Sequence, residues 1–398
     1  MDNFKYENIT NRRGHLKKLT ISLTGEYSHE ALIELGQGSF NIGVKGIDDG
    51  YVDVWVNKDD KIRWNSFNGS EVIFKPFISK SIKWPRFFSY TGNDIGFIEW
   101  SRKRKIEEFS WKPQKSMKVD FTDANINNLF IKSNYKLYIS FGDNISYLDL
   151  YGNPNNFIIE KCLKVPSLGF YPKKDDNLKS YYLPDFKCFY DAEELSIEVE
   201  PNGAPFDCNS LLQFPNLKLL HLFGNMTNLS SLKNLKKLKK LGFWNVPELD
   251  GLPPLENWKE LNRFVAMNID ETVGKRLKEE IKELKKQKDF EFISVSKLRN
   301  KIWFETEYGL PFSSWSSKNE KKAMSIYKRC LREIKKSKSK DDIKNSIINF
   351  TNNFNEMDNI ESVHRDDIYS ALCILMKNSP VTIQYHMWLE WFDKTRIF

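Results

Sequence analysis

Cysteine is scarce in this chain and poorly placed for chemistry. There are five in 398 residues, at Cys162, Cys188, Cys208, Cys330 and Cys373, with no C-x-x-C pair among them. An odd count without metal-type spacing points to free thiols in a reducing cytoplasm. Histidine is equally sparse. His15, His29, His221, His364 and His386 never approach ligand spacing, and no H-E-x-x-H occurs, so no metal is expected. The phosphate-cradling G-x-x-x-x-G-K-[ST] loop, a G-x-G-x-x-G between strand and helix, and a G-x-S-x-G elbow are all absent, so no cofactor is expected. No run of 18 apolar residues exists, and the first fifteen residues lack the apolar core of an export signal. The expectation is a cytoplasmic protein that neither spans nor is anchored to a membrane.

What is present is aromatic bulk and a repeat. The 29 Phe, 16 Tyr and 11 Trp provide ample core material. Leu217–Asn225 reads L-K-L-L-H-L-F-G-N, Leu238–Asn245 reads L-K-K-L-G-F-W-N, and Leu261–Asn268 reads L-N-R-F-V-A-M-N. Each is apolar-x-x-apolar-x-apolar with a following Asn, which predicts one short strand per unit and a turn organised by the Asn. Followed backwards, the second apolar position falls at Phe88, Phe109, Leu129, Leu148, Leu168, Leu195, Leu220, Leu241 and Phe264. The third falls at Tyr90, Trp111, Ile131, Leu150, Phe170, Ile197, Leu222, Phe243 and Ala266. Two wider intervals fit insertions at Lys173–Leu183 and Glu200–Ser210.

Before residue 80, strand-like runs at Ala31–Leu35, Phe40–Val44, Val52–Val56, Ile62–Trp64 and Val72–Phe74 alternate with turn signals. After Asn268, Glu271–Lys288 has helical apolar spacing and Phe290–Val295 reads as a last strand. Four further helices are predicted at Asn319–Lys338, Asp341–Met357, Arg365–Lys377 and Val381–Phe392. The expected organisation is a β-rich N-terminal cap or irregular first coils over 1–79, a repeat array with its C-terminal cap over 80–308, and a helical domain over 309–398.

The units resemble the leucine-rich-repeat superfamily, most clearly at Ile145–Asn153 and Leu217–Asn225. That resemblance implies an α+β protein, a leucine-rich-repeat or β-solenoid array with a small C-terminal α-helical domain. The segments Trp315–Arg329, Asn359–Tyr369 and the closing W-F-D-K-T-R-I-F resemble tails of bacterial cytosolic repeat proteins linked to interbacterial toxins. This second resemblance implies a toxin-neutralising, or immunity, role.

Residues flanking the third apolar position face away from such a core. The column after it contains Tyr151, Tyr171, Phe223, Trp244 and Met267, and the column before it contains His221. Exposed aromatic surface of this kind marks interaction sites, so these six are the expected contacts with a protein partner such as a toxin domain. A competing reading uses the basic segment 271–345, with 21 Lys/Arg against 12 Asp/Glu, to bind nucleic acid or another polyanion. It lacks the aromatic interleaving of single-strand binders, which counts against nucleic acid. An enzymatic tail would need a nucleophile, yet neither Cys330 nor Cys373 has a neighbouring His or Asp pattern. His364-Arg-Asp-Asp367 superficially resembles a kinase catalytic loop, but it lacks every companion element and sits at a helix start.

Overall fold

The computed structural model describes residues 4–11, 14–34, 36–69, 83–173, 179–358 and 360–398. The chain divides into two compact units, Met1–Asn300 and Lys301–Phe398.

In the first unit, short strands with alternating apolar residues return side by side in the same direction. Twelve of them form one parallel sheet. From one edge it runs Phe292–Arg299, Arg263–Asp270, Lys240–Val246, Leu219–Phe223, Glu194–Glu198, Ser167–Tyr171, Tyr147–Gly152, Ile126–Ser133, Ile106–Lys112, Phe87–Thr91, Ser39–Val44 and Val54–Val56. The order follows the chain until Ser39–Val44. That strand has its successor Val54–Val56 on one side and Phe87–Thr91 on the other, so the order reverses there. Register is set by the paired apolar positions. Leu148 lies opposite Leu129 and Leu168, while Leu150 lies opposite Ile131 and Phe170. Shifting any strand by one residue would turn these side chains to solvent.

The inward row is fully buried and packs on a second layer. Part of that layer is a smaller parallel sheet of Met117–Phe121, Leu137–Phe141 and Phe157–Cys162. The rest comprises the helices Gly96–Ser101 and Glu271–Leu284 and several 3-10 turns. Near Gly96–Ser101 the filling is aromatic. Phe97 stacks on Phe109 with ring centroids 4.1 Å apart, and Trp64 meets Tyr90 edge-on at 5.2 Å. From Leu211 onward leucine takes over, with Leu220, Leu222, Leu229, Leu232, Leu238 and Leu241 at most 2% exposed. Gly224 has φ +89°, and a Cβ there would overlap the Val199 carbonyl oxygen. Only glycine fits that turn.

The expected fold class is corrected by this architecture. The α+β class expected for a leucine-rich-repeat or β-solenoid array with a small C-terminal helical domain gives way to an α/β-like one in this chain. The chain carries a large twelve-stranded parallel sheet with helices, and 32% of residues are helical against 30% in strands. Parallel neighbours need a crossover between them, and here the crossovers build a mixed layer of helix, 3-10 turn and a further sheet. The sheet also reaches beyond the expected array, taking in Ser39–Val44 and Val54–Val56. His15–Gly25 shares the repeat's apolar spacing, yet Gly14–Ile21 lies between Phe4–Asn11 and His29–Glu34 in a separate antiparallel sheet. The expected strand at Val72–Phe74 lies outside the described residues.

The second unit is helical, with Lys301–Thr306, Ser317–Lys336, Lys340–Asn355, Ser362–Lys377 and Tyr385–Thr395. Its core gathers Phe312, Trp315, Phe350, Phe354, Leu372 and Phe392. Ser339 and Asp342 cap one helix reciprocally. Asp342 N–H donates to Ser339 Oγ at 3.2 Å, and Ser339 N–H donates to Asp342 Oδ2 at 2.9 Å.

Candidate protein-binding face

The outward side of the parallel sheet carries the residues between the buried rows. Four of the six candidate contacts form two stacked pairs. Tyr151 and Tyr171, on adjacent strands, stack with centroids 4.3 Å apart and planes 11° from parallel. Phe223 and Trp244 do the same at 4.6 Å and 14°. His221 meets the indole of Trp244 edge-on at 4.9 Å. Met267 lies beside Trp244 in register. All six are half-buried rather than fully exposed, and the five rings among them cover one another within their stations.

The stripe is interrupted. Glu198 stands opposite Phe223, between the two pairs, so the face presents two aromatic stations with a carboxylate separating them. Two glycines let the rings lie down. A Cβ on Gly242 would collide with the Trp244 indole and sit 3.1 Å from His221 Cδ2. A Cβ on Gly169 would collide with the Asp149 carboxylate and sit 2.7 Å from Tyr171 Cε2. Each glycine is two residues before the aromatic that covers it, on the same face of the same strand.

The tyrosine station has its own electrostatics. Burial raises the Asp149 carboxyl to about 6, with the Tyr171 hydroxyl opposing that rise and the Glu108 charge adding to it. Burial, followed by Asp149, Glu198 and Glu108, pushes the Tyr151 hydroxyl up to about 12, and Tyr171 is raised for similar reasons. Burial also raises Glu108 and, with Glu200, Glu198. At the other station burial lowers His221, and the cations Arg263 and Lys240 lower it further, so the imidazole is neutral near pH 7. Asp149 precedes the third apolar position Leu150 as His221 precedes Leu222, so it belongs to the outward column. Its burial depends on Tyr171 leaning back over Gly169, which spacing alone does not reveal.

At the carboxyl ends of these strands the face opens into a cleft of about 530 Å³. Lys112, Lys132 and Lys173 line it together with Tyr135, Tyr151 and Tyr171, and among the described residues its lining includes no carboxylate. Lys112 Nζ donates to the Ile47 carbonyl at 3.1 Å and to Asp48 Oδ1 at 2.9 Å. Lys132 Nζ lies 5.3 Å from the centroid of the Tyr151 ring. The sequence reading missed this cleft because its lysines come from three separate units.

The other candidates serve structure. His364 Nδ1 accepts the Glu361 N–H at 3.0 Å, and Asp367 Oδ2 accepts from Trp315 Nε1 at 2.8 Å. The His-Arg-Asp-Asp fragment thus starts a helix and anchors a core tryptophan. Burial raises the Cys208 thiol, takes Cys330 to about 12 and Cys162 to about 11, which suppresses their thiolates. On Glu271–Leu284 and the turn after it, cations are matched along the surface. Lys275 pairs with Glu271, Arg276 with Glu280, Lys282 with Glu279 and Lys286 with Glu283. Among the described residues no group of three or more His, Cys, Asp or Glu could hold a metal ion, and no helix is long and apolar enough to cross a membrane.

No protein-family model, no curated protein and no solved structure matches this chain.

Proposed function

We propose that this chain is a non-enzymatic protein-binding scaffold whose partner docks on the outward sheet face. On the resemblance of the C-terminal helices, we further propose that the partner is a toxin domain which the scaffold neutralises. The observation that carries the docking reading is the pair of aromatic stations. Both are held flat over glycine on a continuous parallel sheet, so their shape is set before a partner arrives. Preorganised aromatic surface loses little conformational freedom on binding, and Tyr and Trp commonly anchor interfaces.

The test is co-expression of the chain with the toxin encoded beside it, with growth and complex formation read together. The scaffold rescues growth and co-purifies with the toxin, and F223A or W244A weakens both. Rescue without a complex, or a complex indifferent to both substitutions, overturns the assignment of this face.

A further inference from the structure

The cleft at the carboxyl ends of the strands has a ligand chemistry different from the rest of the face. It begins at the Ile47–Asp48 turn, which follows Ser39–Val44, the strand where the sheet order reverses. The other lining residues lie at or just after the carboxyl ends of Ile106–Lys112, Ile126–Ser133, Tyr147–Gly152 and Ser167–Tyr171, the side of an open parallel sheet on which ligands bind. The volume of about 530 Å³ suits a small molecule.

Its walls divide the work. Lys112 is already matched by Asp48 and an Ile47 carbonyl. Lys132 and Lys173 are exposed at the rim, where they bring positive charge to a lining that holds no carboxylate among the described residues. The Tyr151–Tyr171 stack provides a flat ring surface, and Gln114 and Asn134 place amide groups beside it, while the buried Ser133 hydroxyl is taken up by the Tyr135 backbone. Gly152 closes the floor. It has φ +125°, and a Cβ there would collide with the Ser133 carbonyl oxygen. Cations beside an aromatic platform and neutral polar groups match a ligand with a phosphate at one end and a planar ring at the other.

We propose that the cleft lined by Lys132, Lys173, Tyr151 and Tyr171 is a binding site for a nucleoside phosphate. The site shares Tyr151 and Tyr171 with the proposed docking face, while Lys132 and Lys173 lie outside both aromatic stations.

Calorimetric titration of the full-length protein tests it, with ADP, ribose 5-phosphate and an Asp/Glu-rich peptide as probes. ADP binds with a measurable heat, and ribose 5-phosphate binds at least about tenfold more weakly for want of a ring to stack. The double variant K132A/K173A loses about tenfold or more in ADP affinity while keeping its melting temperature, since both side chains are exposed. W244A binds ADP as the parent does, which separates this site from docking at the Phe223–Trp244 station. No heat with millimolar ADP overturns the proposal, as does an unchanged affinity in K132A/K173A. Ribose 5-phosphate binding as tightly as ADP removes the ring from the site. An acidic peptide that outcompetes ADP reassigns the cleft to a protein's carboxylates.

Discussion

Replacing Asp149 with Asn tests the electrostatics of the outward face most directly. The carboxyl ordinarily titrates at 3.8 and is raised to about 6 here, by burial and then by Glu108. The folded state therefore holds the proton more tightly than the unfolded chain does. Below pH 3.8 both states are protonated and Asp149 contributes no penalty. Between 3.8 and about 6 folding takes up a proton, so stability falls as pH rises, and above about 6 the full penalty is present. The gap is roughly two tenfold steps in proton affinity, about 3 kcal/mol at about 1.4 kcal/mol per step. Asp149 is only partly buried, so water screens this to about 1–2 kcal/mol.

Asn keeps the size and polarity of the side chain beside Tyr171 and removes the charge. Urea unfolding of D149N at pH 7.5 gives a stability gain of about 1–2 kcal/mol, which shrinks towards zero near pH 4. A variant no more stable than the parent at pH 7.5, or one with the same gain at both pH values, refutes the reasoning. The first result means the carboxylate is well solvated, and the second means the gain comes from packing rather than ionisation.

Alanine at Trp244 or Phe223 weakens partner binding by about 2 kcal/mol each, measured by titration against the purified partner, with urea midpoints as the folding control. Gly242→Ala lifts the indole off the sheet and weakens the same complex, although residue 242 has no side chain to contribute to it. Intact affinity in G242A means that the flat ring geometry is immaterial. Gly224→Ala destabilises the first unit by more than about 2 kcal/mol, because the left-handed backbone and the Val199 carbonyl both oppose a Cβ. Circular dichroism melts check this, and a neutral result removes the close approach from the account. Ser339→Ala lowers stability by about 1 kcal/mol through loss of the reciprocal cap, and an unchanged denaturation midpoint counts against it.

The parts legible in the sequence are those governed by local period. The two apolar positions of each unit pair across the sheet from Phe88 and Tyr90 to Phe264 and Ala266. The helices of the second unit follow from apolar residues repeating at three and four. The class of the fold was not legible, because it depends on what fills the crossovers. Met117–Phe121, Leu137–Phe141 and Phe157–Cys162 lie between the repeat strands, and only their mutual pairing makes them a second sheet. The pairing of Ser39–Val44 with Phe87–Thr91 crosses more than forty residues, and no periodicity announces it. On the outward face, the aromatics were readable from their column. Glu198 as an interruption, Gly169 and Gly242 as shelves, and the lysine-lined cleft required side-chain directions that spacing does not supply.

The near-sequential strand order has a kinetic consequence. From Phe87 to Arg299, each strand of the large sheet pairs with the next one along the chain within that sheet. Closing such a loop restricts only a few tens of residues at a time, so most of the sheet can assemble without long-range searching. The exception is Ser39–Val44, whose pairing with Phe87–Thr91 closes the longest gap. That step also brings the Ile47–Asp48 turn to Lys112 and shapes the mouth of the cleft. The cleft is therefore expected to form late in folding, after the aromatic stations on the strands from Tyr147 to Asp270 have taken shape.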